Sequence, residues 1–380
     1  MYNFKHEITL KKTARFLPLF ILGFVFLLSA CGEDEQESSG GKPKKAKKMI
    51  KSKGGFAEIV VIMDPRKKNA PLGEALKDIF AKDIPGLPQP ESWFKLLTVP
   101  PSKFSGTLKR HHNIIFLTSL DNDTNEGRYL KGFFTKKSLE MIKNNPKRFM
   151  LRRKNVYAQG QRIMYLFGNT EEQLMKNMEA NKEVLLNYFH DREQKRLTDK
   201  LYGISEQQKL SEYIQKVVKL KMRIPSGFGL AKKQKNFVWL RKKGNPAQKL
   251  ADINLIIASR PYTSTKIFEE ENIVAWRDTL GKHYINDESR EGSYVTTETM
   301  VKPILDIKKI TIDKKFAVEY RGFWKLANGS RGGPFLSYAF VDEAQKRVFY
   351  IEGFIYAAGM RKKEAIFRTE AILKTFERLK

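Results

Sequence analysis

The stretch that decides the fold spans residues 332–357 and reads GGPFLSYAFVDEAQKRVFYIEGFIYA. Its two apolar runs, residues 335–341 and 348–356, are predicted to form the two strands of a hairpin. An antiparallel sheet that is open to water on one face alternates apolar with polar residues, whereas both faces of these runs are apolar. The pattern therefore predicts a central pair of strands that is covered on both faces.

A helix over residues 362–380 is predicted to supply part of this cover. Its apolar face consists of Ile366, Ile372, Leu373, Phe376 and Leu379. Upstream, strands are predicted over residues 58–63, 94–99, 113–117, 155–158, 162–167, 217–223, 237–240 and 254–258. Further helices are predicted over residues 71–82, 135–143, 171–200, 205–213 and 272–280.

The folded part, about 325 residues from residue 55 onward, exceeds the usual size of one hydrophobic core. We therefore predict two lobes, residues 55–203 and 204–380, with the boundary at Gly203, where the helical pattern breaks. The predicted fold class is α+β, with mixed or antiparallel sheets flanked by helices. Both halves end in a hairpin and a helix, which leaves an internal duplication open.

Residues 1–30 have the pattern of an export signal. Four basic residues precede an apolar run over residues 16–30, which is shorter than the roughly 20 residues that span a bilayer. Leu28-Ser29-Ala30-Cys31 then resembles, at all four positions, the lipobox of bacterial lipoproteins. We predict cleavage before Cys31 and attachment of fatty acyl groups to its sulfur, which would anchor the chain to the membrane. An uncleaved membrane anchor is the alternative.

Cys31 is the single cysteine, so lipidation would leave no thiol for a disulfide, a metal or a nucleophile. Residues 31–54 are rich in Gly, Ser, Glu and Lys and are predicted to form a disordered tether. An acidic block at residues 33–37 precedes a basic block at residues 42–53. The acidic block either resembles the surface-export signals of Bacteroidota lipoproteins or is a solvated spacer. The predicted location is the outer membrane, facing the periplasm or the cell surface.

The chain is strongly basic, with a net charge of +29. Without the leader, 67 basic and 41 acidic residues leave a net charge of +26. Such a charge attracts polyanions, including anionic glycans and phosphorylated membrane surfaces. Because the basic residues are scattered, with no arginine-rich block, a generally basic surface is favoured over a nucleic-acid groove.

Motifs for catalysis and metal binding are few. After the leader the histidines are His111, His112, His190 and His283, and the adjacent pair would point to opposite faces of a strand. The sequence has no Gly-x-Ser-x-Gly elbow. The acidic runs at 269–271 and 287–288 are better explained as solvated turns than as a hydrolase pair. We predict no catalytic residue, no metal and no cofactor.

Four C-terminal segments together resemble the signature of an uncharacterised family of Bacteroidota lipoproteins, known only as a domain of unknown function. The segments are residues 322–324 (GFW), 332–338 (GGPFLSY), 352–357 (EGFIYA) and 370–373 (EAIL). The resemblance continues upstream through residues 224–227 (IPSG) and 237–239 (FVW) and covers essentially the whole chain after the leader. Ala358 stands where the family pattern suggests proline. The resemblance implies a place in the envelope but no activity, so no functional residue is carried over.

Two functions remain open. The first is a lipid-anchored binding or assembly protein, whose basic and aromatic surface near Trp324, Arg331, Tyr338 and Tyr356 holds an anionic glycan or an envelope protein. The second is an envelope hydrolase that acts on glycan or peptide with carboxylates as acid and base. The scarcity of catalytic motifs favours binding.

Two features near this surface allow alternative explanations. The glycine-rich segment 329–334 is either a ligand cradle with Arg331 as donor or, as we favour, hairpin geometry. Glu352 lies among apolar neighbours and is either half-exposed or buried against a base such as Arg331.

Overall fold

The computed structural model describes residues 49–287, 289–312 and 314–379. The predicted signal peptide, Cys31 and most of the predicted tether lie outside these residues. Residues 49–380 form one compact unit. Helices combine with two principal sheets in two lobes, which confirms the predicted α+β class. In the described ranges, no helix is long and apolar enough to cross a membrane.

The N-terminal lobe is built on a five-stranded sheet with the order β2-β1-β3-β5-β4. Its strands are β1 (Glu58–Ile62), β2 (Lys95–Val99), β3 (Asn113–Ser119), β4 (Met150–Lys154) and β5 (Arg162–Gly168). Its helices are α1 (Pro71–Phe80), α2 (Gly106–Lys109), α3 (Asn125–Lys131), α4 (Lys136–Asn144), α5 (Glu171–Ala180) and α6 (Lys182–Tyr202). Only β4 runs antiparallel to its neighbour; the other pairs are parallel. All of β3 is buried, as expected for a parallel strand covered on both faces.

The C-terminal lobe is built on an eight-stranded antiparallel sheet with the order β10-β12-β13-β14-β9-β8-β7, in which β11 also pairs with β12. Its strands are β6 (Leu220–Lys221), β7 (Gly229–Gln234), β8 (Phe237–Lys242), β9 (Asp252–Pro261), β10 (Val295–Thr297), β11 (Leu305–Ile312), β12 (Lys315–Leu326), β13 (Gly332–Asp342), β14 (Arg347–Tyr356) and β15 (Glu377–Arg378). The helices are α7 (Gln208–Val218), α8 (Glu270–Tyr284) and α9 (Lys363–Leu373). β6 and β15 form a separate pair.

β13 and β14 lie inside this sheet, with cover on both faces, as the sequence predicts. On one face, Leu336, Phe340 and Phe349 pack in a core with residues of α7 and α9. On the other face, Phe335 and Tyr350 pack with residues of α8. The two-sided apolar pattern of the hairpin thus reflects two separate hydrophobic layers.

The two lobes share a packed contact beside α9. The Glu91 carboxylate accepts hydrogen bonds from the backbone N–H groups of Lys362 and Lys363, at 2.6 and 3.2 Å, and so satisfies the first turn of α9. The rings of Trp93 and His190 lie 5.7 and 5.0 Å from that of Phe367. Glu91, Trp93 and His190 belong to the N-terminal lobe, whereas α9 belongs to the C-terminal lobe. These contacts therefore join the two lobes.

Four predicted elements differ from the structure. The strand predicted over 217–223 is reduced to β6, because α7 continues to Val218. The helix predicted over 171–200 is two helices, because the backbone at Asn181 leaves the helical conformation. The final helix ends at Leu373, and the chain then forms β15. The strand predicted over 155–158 is a loop, because Asn155 and Gly160 adopt φ values of 55° and 84°. The strand that pairs with β5 there is β4.

Two interpretations of the chain's organisation also change. Within the predicted tether, the N–H groups of Ser52 and Lys53 donate to the carbonyls of Gln159 and Arg110, both at 2.9 Å, so the folded part begins before residue 55. The two principal sheets differ in strand direction and order. The structure therefore does not support an internal duplication.

Candidate functional site

A cleft of about 610 Å³ opens at one end of the C-terminal sheet, on the face that α8 covers. We call it the sheet-end cleft. Its aromatic lining consists of Trp239, Trp324, Phe354 and Tyr356. Its polar lining includes Arg241, Lys243, Asp252, Asn254, Asp287 and Arg331. The volume and the mixed lining are typical of small-molecule sites.

Strand register brings most of these side chains together. Phe354 of β14 lies opposite Asn254 of β9, and Asn254 lies opposite Arg241 of β8. Tyr356 and Asp252 form the next pair of the same register on this face. Because side chains alternate between faces with a period of two, these residues project from the same face at the ends of their strands. Asp287 arrives from the segment that follows α8.

The Trp324 indole lies across the neighbouring strand rather than away from it. Its Nε1 donates to the Ile355 carbonyl at 2.9 Å, and Gly333 is its partner in the register. A Cβ atom on Gly333 would lie 3.1 Å from Nε1 and would overlap the Ile355 carbonyl. The glycine therefore permits close packing under the indole, which supports the interpretation of segment 329–334 as hairpin geometry.

The aromatic residues form one wall of the cleft, and some of their side chains are buried whereas others are partly exposed. The ring centroids of Phe354 and Tyr356 lie 5.3 and 6.4 Å from that of Trp324, which is only 5% exposed. Trp239 and Tyr356 are half-buried, so their rings can meet a ligand. The Trp239 Nε1 donates to Asn254 Oδ1 at 3.1 Å, which fixes the orientation of the ring.

Two arginine–aspartate pairs complete the polar lining. Arg241 Nη2 donates to Asp252 at 2.6 Å, and Arg331 donates to Asp287. Hydrogen bonds from Ser289, together with the Arg331 guanidinium, lower the pKa of Asp287 to about 2. Asp287 is therefore ionised at any physiological pH. The buried Nε of Arg241 donates to no acceptor in the described part of the chain.

Three of the four residues predicted to bind, Trp324, Arg331 and Tyr356, line the sheet-end cleft together. Tyr338 does not join them. It projects from β13 to the α9 face and is 0% exposed, so its placement on a binding surface is wrong. Both faces of β13 are apolar, and the sequence alone therefore gave no indication of which aromatic residues face the cleft.

The acidic residues also have partners that the sequence did not reveal. Glu352 is buried against Arg277 and not against Arg331: Nε and Nη2 of Arg277 each donate to its carboxylate at 2.9 Å. Asp287 is not part of a solvated acidic turn, since its side chain is 13% exposed and is paired with Arg331.

The sequence interpretation missed Arg241, Asp252 and Asn254 and did not assign Trp239 to a site. Trp239 lies in the FVW segment that carries part of the family resemblance, which was the available signal. Among the histidines, His190 Nε2 lies 3.3 Å from Glu370, and His112 Nδ1 lies 2.8 Å from Ser52 Oγ. Across the described ranges, no group of three or more His, Cys, Asp or Glu residues could hold a metal ion.

The fold and the cleft together define an α+β protein of two lobes with a ligand-sized site in the second lobe. Residues 52–202 match the family model DUF8532 and residues 207–375 match DUF4837; each is described as a domain of unknown function. These matches are consistent with an uncharacterised family and bring no activity. No curated protein matches the sequence.

Among solved structures, the chain is similar to the Saccharomyces cerevisiae Ran-binding protein Mog1p and to a point mutant of Mog1. Each comparison has 9% identity and a TM-score of 0.25, and covers 42% of this chain and 89% of the Mog1 chain. A similarity of this strength supports no conclusion about function.

Proposed function

We propose that this chain is a lipid-anchored binding protein of the bacterial cell envelope, and that its sheet-end cleft holds an acidic saccharide. The observation that carries the proposal is one cleft in which the half-buried rings of Trp239 and Tyr356 lie beside two arginine–aspartate pairs. The cleft supplies binding groups of two kinds, apolar faces and charged hydrogen-bonding groups.

A saccharide fits both kinds of group. A sugar ring has apolar C–H faces that pack on aromatic rings, and a rim of hydroxyl groups that need donors and acceptors. Asp252 and Asn254 offer acceptors, whereas Arg241 and Arg331 offer donors. The side chain of Arg331 is 42% exposed despite its pairing, and guanidinium groups bind carboxylates through two parallel hydrogen bonds. With Lys243 included, cations outnumber carboxylates in the lining, which favours an acidic sugar.

Hydrolysis of the same ligand is the second candidate, because Asp252 and Asp287 share the cleft. A glycosidase needs a carboxylic acid that is still protonated at working pH, and such an acid has a raised pKa. The pKa of Asp287 is lowered to about 2 instead. Asp252 is held by Arg241 at 2.6 Å, as expected for a group that orients an arginine. The arrangement therefore favours binding, and the release of reducing ends from a bound saccharide would favour hydrolysis.

The envelope location is supported by the lipobox and by the family resemblance of the sequence. Mass spectrometry of the native protein should find residues 1–30 removed and acyl groups on Cys31. A bare Cys31 thiol with the leader still attached would contradict this part of the proposal. Protease treatment of intact cells separates the two orientations, since only a surface-exposed protein would be digested.

The binding proposal is tested by calorimetry with the full chain, an oligogalacturonate and a neutral oligosaccharide of the same length. Removing one charged hydrogen bond costs about 1.5–3 kcal/mol. We therefore expect Arg331→Gln, combined with Asp287→Asn to avoid an unpaired carboxylate, to weaken binding of the acidic ligand about 10- to 100-fold. Trp239→Leu should weaken the binding of both ligands.

The matched control is Arg361→Gln, which removes an exposed arginine outside the cleft and should leave binding unchanged. Circular dichroism confirms that each variant folds. Equal affinities of the Arg331 variant and the control for the oligogalacturonate would refute the proposed site, as would no binding of either saccharide by the unmodified chain.

A further inference from the structure

A second charged region lies in the N-terminal lobe, at the end where β3 and β5 begin and where the chain enters the folded part. We call it the basic end and define it by Lys51, Lys53, Arg110, Arg162, Arg192 and Arg196. Backbone hydrogen bonds hold the entering chain there, since Lys53 N donates to the Arg110 carbonyl at 2.9 Å. Gly160, in the loop before β5, accepts from Arg192 Nε and Arg196 Nη2 at 3.1 and 3.0 Å.

Carboxylates compensate little of this charge. Glu193 is buried and binds Arg196 and Asn113, so its negative charge is already used inside the lobe. In the described ranges, no ion pair joins any other member of the basic end to a carboxylate. Lys51 and Lys53 are exposed, whereas Arg110, Arg162 and Arg192 are half-buried. The basic end therefore presents several cations that have no anion of their own.

The neighbouring titratable groups respond to this excess of positive charge. Burial, together with the charges of Arg196, His111 and Arg192, lowers the pKa of His112 to about 4. Burial and the charge of Arg192 also lower the pKa of Arg162. A bound anion would reduce the repulsion among these groups. The guanidinium groups of Arg192 and Arg196 are held by carbonyl oxygens, so these two are oriented before any ligand arrives.

We propose that the basic end docks on the phosphate groups of anionic lipids at the membrane surface. Because the chain enters the folded part at this end, any membrane anchor upstream is tethered next to it. Residues 32–48 separate Cys31 from Met49, and even a fully extended chain of that length reaches only roughly 60 Å. The tether thus keeps the basic end at a high effective concentration near lipid headgroups. This orientation rests on the proposed anchor, whereas the affinity for phosphate rests on the basic residues themselves.

The test measures how close the basic end lies to lipid. The full chain, isolated from membranes, carries an environment-sensitive fluorophore on Gln159→Cys and is reconstituted into phosphatidylcholine vesicles that contain a quencher lipid. A second preparation carries the fluorophore on Gln248→Cys, an exposed position in the C-terminal lobe. Adding phosphatidylglycerol should increase quenching at residue 159 about threefold and leave residue 248 unchanged. High salt should reverse the increase, because it screens charges at a surface.

Charge variants connect this signal to the basic end. Lys51→Gln with Lys53→Gln changes exposed residues only, and Arg162→Gln with Arg192→Gln removes two of the half-buried arginines. Each double variant should abolish the response to phosphatidylglycerol. The matched control, Lys249→Gln with Lys282→Gln, removes two exposed charges from the C-terminal lobe and should leave the response intact. Equal quenching in neutral and anionic vesicles, or an equal loss in the control, would overturn the docking.

The lipid anchor is tested by a measurement that is independent of the quenching experiment. Mass spectrometry of the peptide that contains Cys31 reports lipidation, whatever the quenching shows. Suppose that the chain is found without lipid and still associates with phosphatidylglycerol vesicles but not with phosphatidylcholine vesicles. This result would support the docking proposal and contradict the lipid anchor. A lipidated chain without the quenching response would keep the anchor and refute the docking.

Discussion

At the scale of single residues, the C-terminal lobe contains a buried ion pair between Glu352 and Arg277, of which only one partner stands out in the sequence. Glu352 stands out in the sequence as a charge within an apolar strand, so a buried partner was predictable. The identity of that partner was not, because Arg277 lies 75 residues away on α8. Thr297 accepts from Arg277, and Tyr350 donates to Glu352, so the pair has hydrogen-bonding partners on both sides. A separation of 44 residues likewise hid the Arg331–Asp287 pair of the cleft.

Replacing one residue of this pair should lower the free energy of unfolding far more than replacing both residues. Glu352→Gln removes the buried carboxylate that Arg277 binds at 2.9 Å and leaves its guanidinium, 3% exposed, with only the more exposed Asp278 at 3.6 Å. We expect the unfolding free energy to fall by about 3–5 kcal/mol. The double variant Arg277→Met with Glu352→Leu should recover most of that loss, since it leaves no buried charge. Urea unfolding gives both values. Glu298→Gln, which breaks the more exposed Lys325–Glu298 pair, is the control and should cost less than 1 kcal/mol. A double variant as unstable as the single one would contradict the explanation.

At the scale of elements, the sequence predicted those whose pattern is local and strong. The β13–β14 hairpin and the start of α9 followed from apolar periodicity. The mixed sheet of the N-terminal lobe fits the predicted fold class. Its parallel strand pairs were not assigned from the sequence, although the continuous apolar runs of β1 and β3 carried a signal for them. β12 was not predicted: its charged residues interrupt the apolar pattern, and Arg321 becomes buried only through ion pairs with Glu319 and Glu370. Ion-pair partners such as Arg321 and Glu370 are brought together by tertiary contacts, which a short stretch of sequence does not contain.

The contact between α8 and β10 gives a test in which helix propensity and packing predict opposite signs. Gly281 lies inside α8, where Gly→Ala normally stabilises a helix by about 1 kcal/mol. A Cβ atom there would overlap the Val295 carbonyl oxygen, which belongs to backbone and cannot move aside alone. We therefore expect Gly281→Ala to lower the unfolding free energy by about 1–3 kcal/mol. The neighbouring Lys282→Ala, at an exposed position, should change thermal stability little. A stabilised Gly281 variant would show that the helix can shift away from β10.

At the scale of the whole molecule, the cleft and the lobe contact show which parts of a site a sequence can reveal. Trp324 and Tyr356 were predictable because they lie in the GFW and EGFIYA segments, and Arg331 because it directly precedes the GGPFLSY segment. The opposing wall, Asp252 and Asn254 on β9, became part of the site only through the order of the strands. The lobe contact was hidden for the same reason, since His190 and Glu370 lie far apart in sequence. Sheet order thus decides the composition of the cleft, and the packing of α6 against α9 joins the lobes.

Glu370 should control how firmly the two lobes stay joined. Its buried carboxylate lies 2.6 Å from Lys374, 3.3 Å from His190 Nε2 and 3.7 Å from Arg321. Although burial opposes ionisation, these charges lower the pKa of Glu370 well below the ordinary value of 4.5. A lowered folded-state pKa means that the stabilisation is complete above the unfolded-state pKa and is lost as pH falls further. The charge of Glu370 should therefore stabilise the protein at pH 7 and progressively less below about pH 4.

Glu370→Gln removes this contribution and leaves three basic groups around a neutral amide. We expect the urea midpoint to fall at pH 7 by the equivalent of about 3 kcal/mol, and the gap to the unmodified chain to narrow as the pH drops below about 4. Glu364→Gln, on the exposed side of α9 and paired with Arg368, is the matched control and should shift the midpoint only slightly. If the two variants unfold at the same midpoint at pH 7, or if their difference does not depend on pH, Glu370 does not hold the lobes together through its charge. A larger effect of Glu370→Gln that disappears in acid would establish that the charge of Glu370 stabilises the fold through His190 of the N-terminal lobe together with Lys374 and Arg321 of its own lobe.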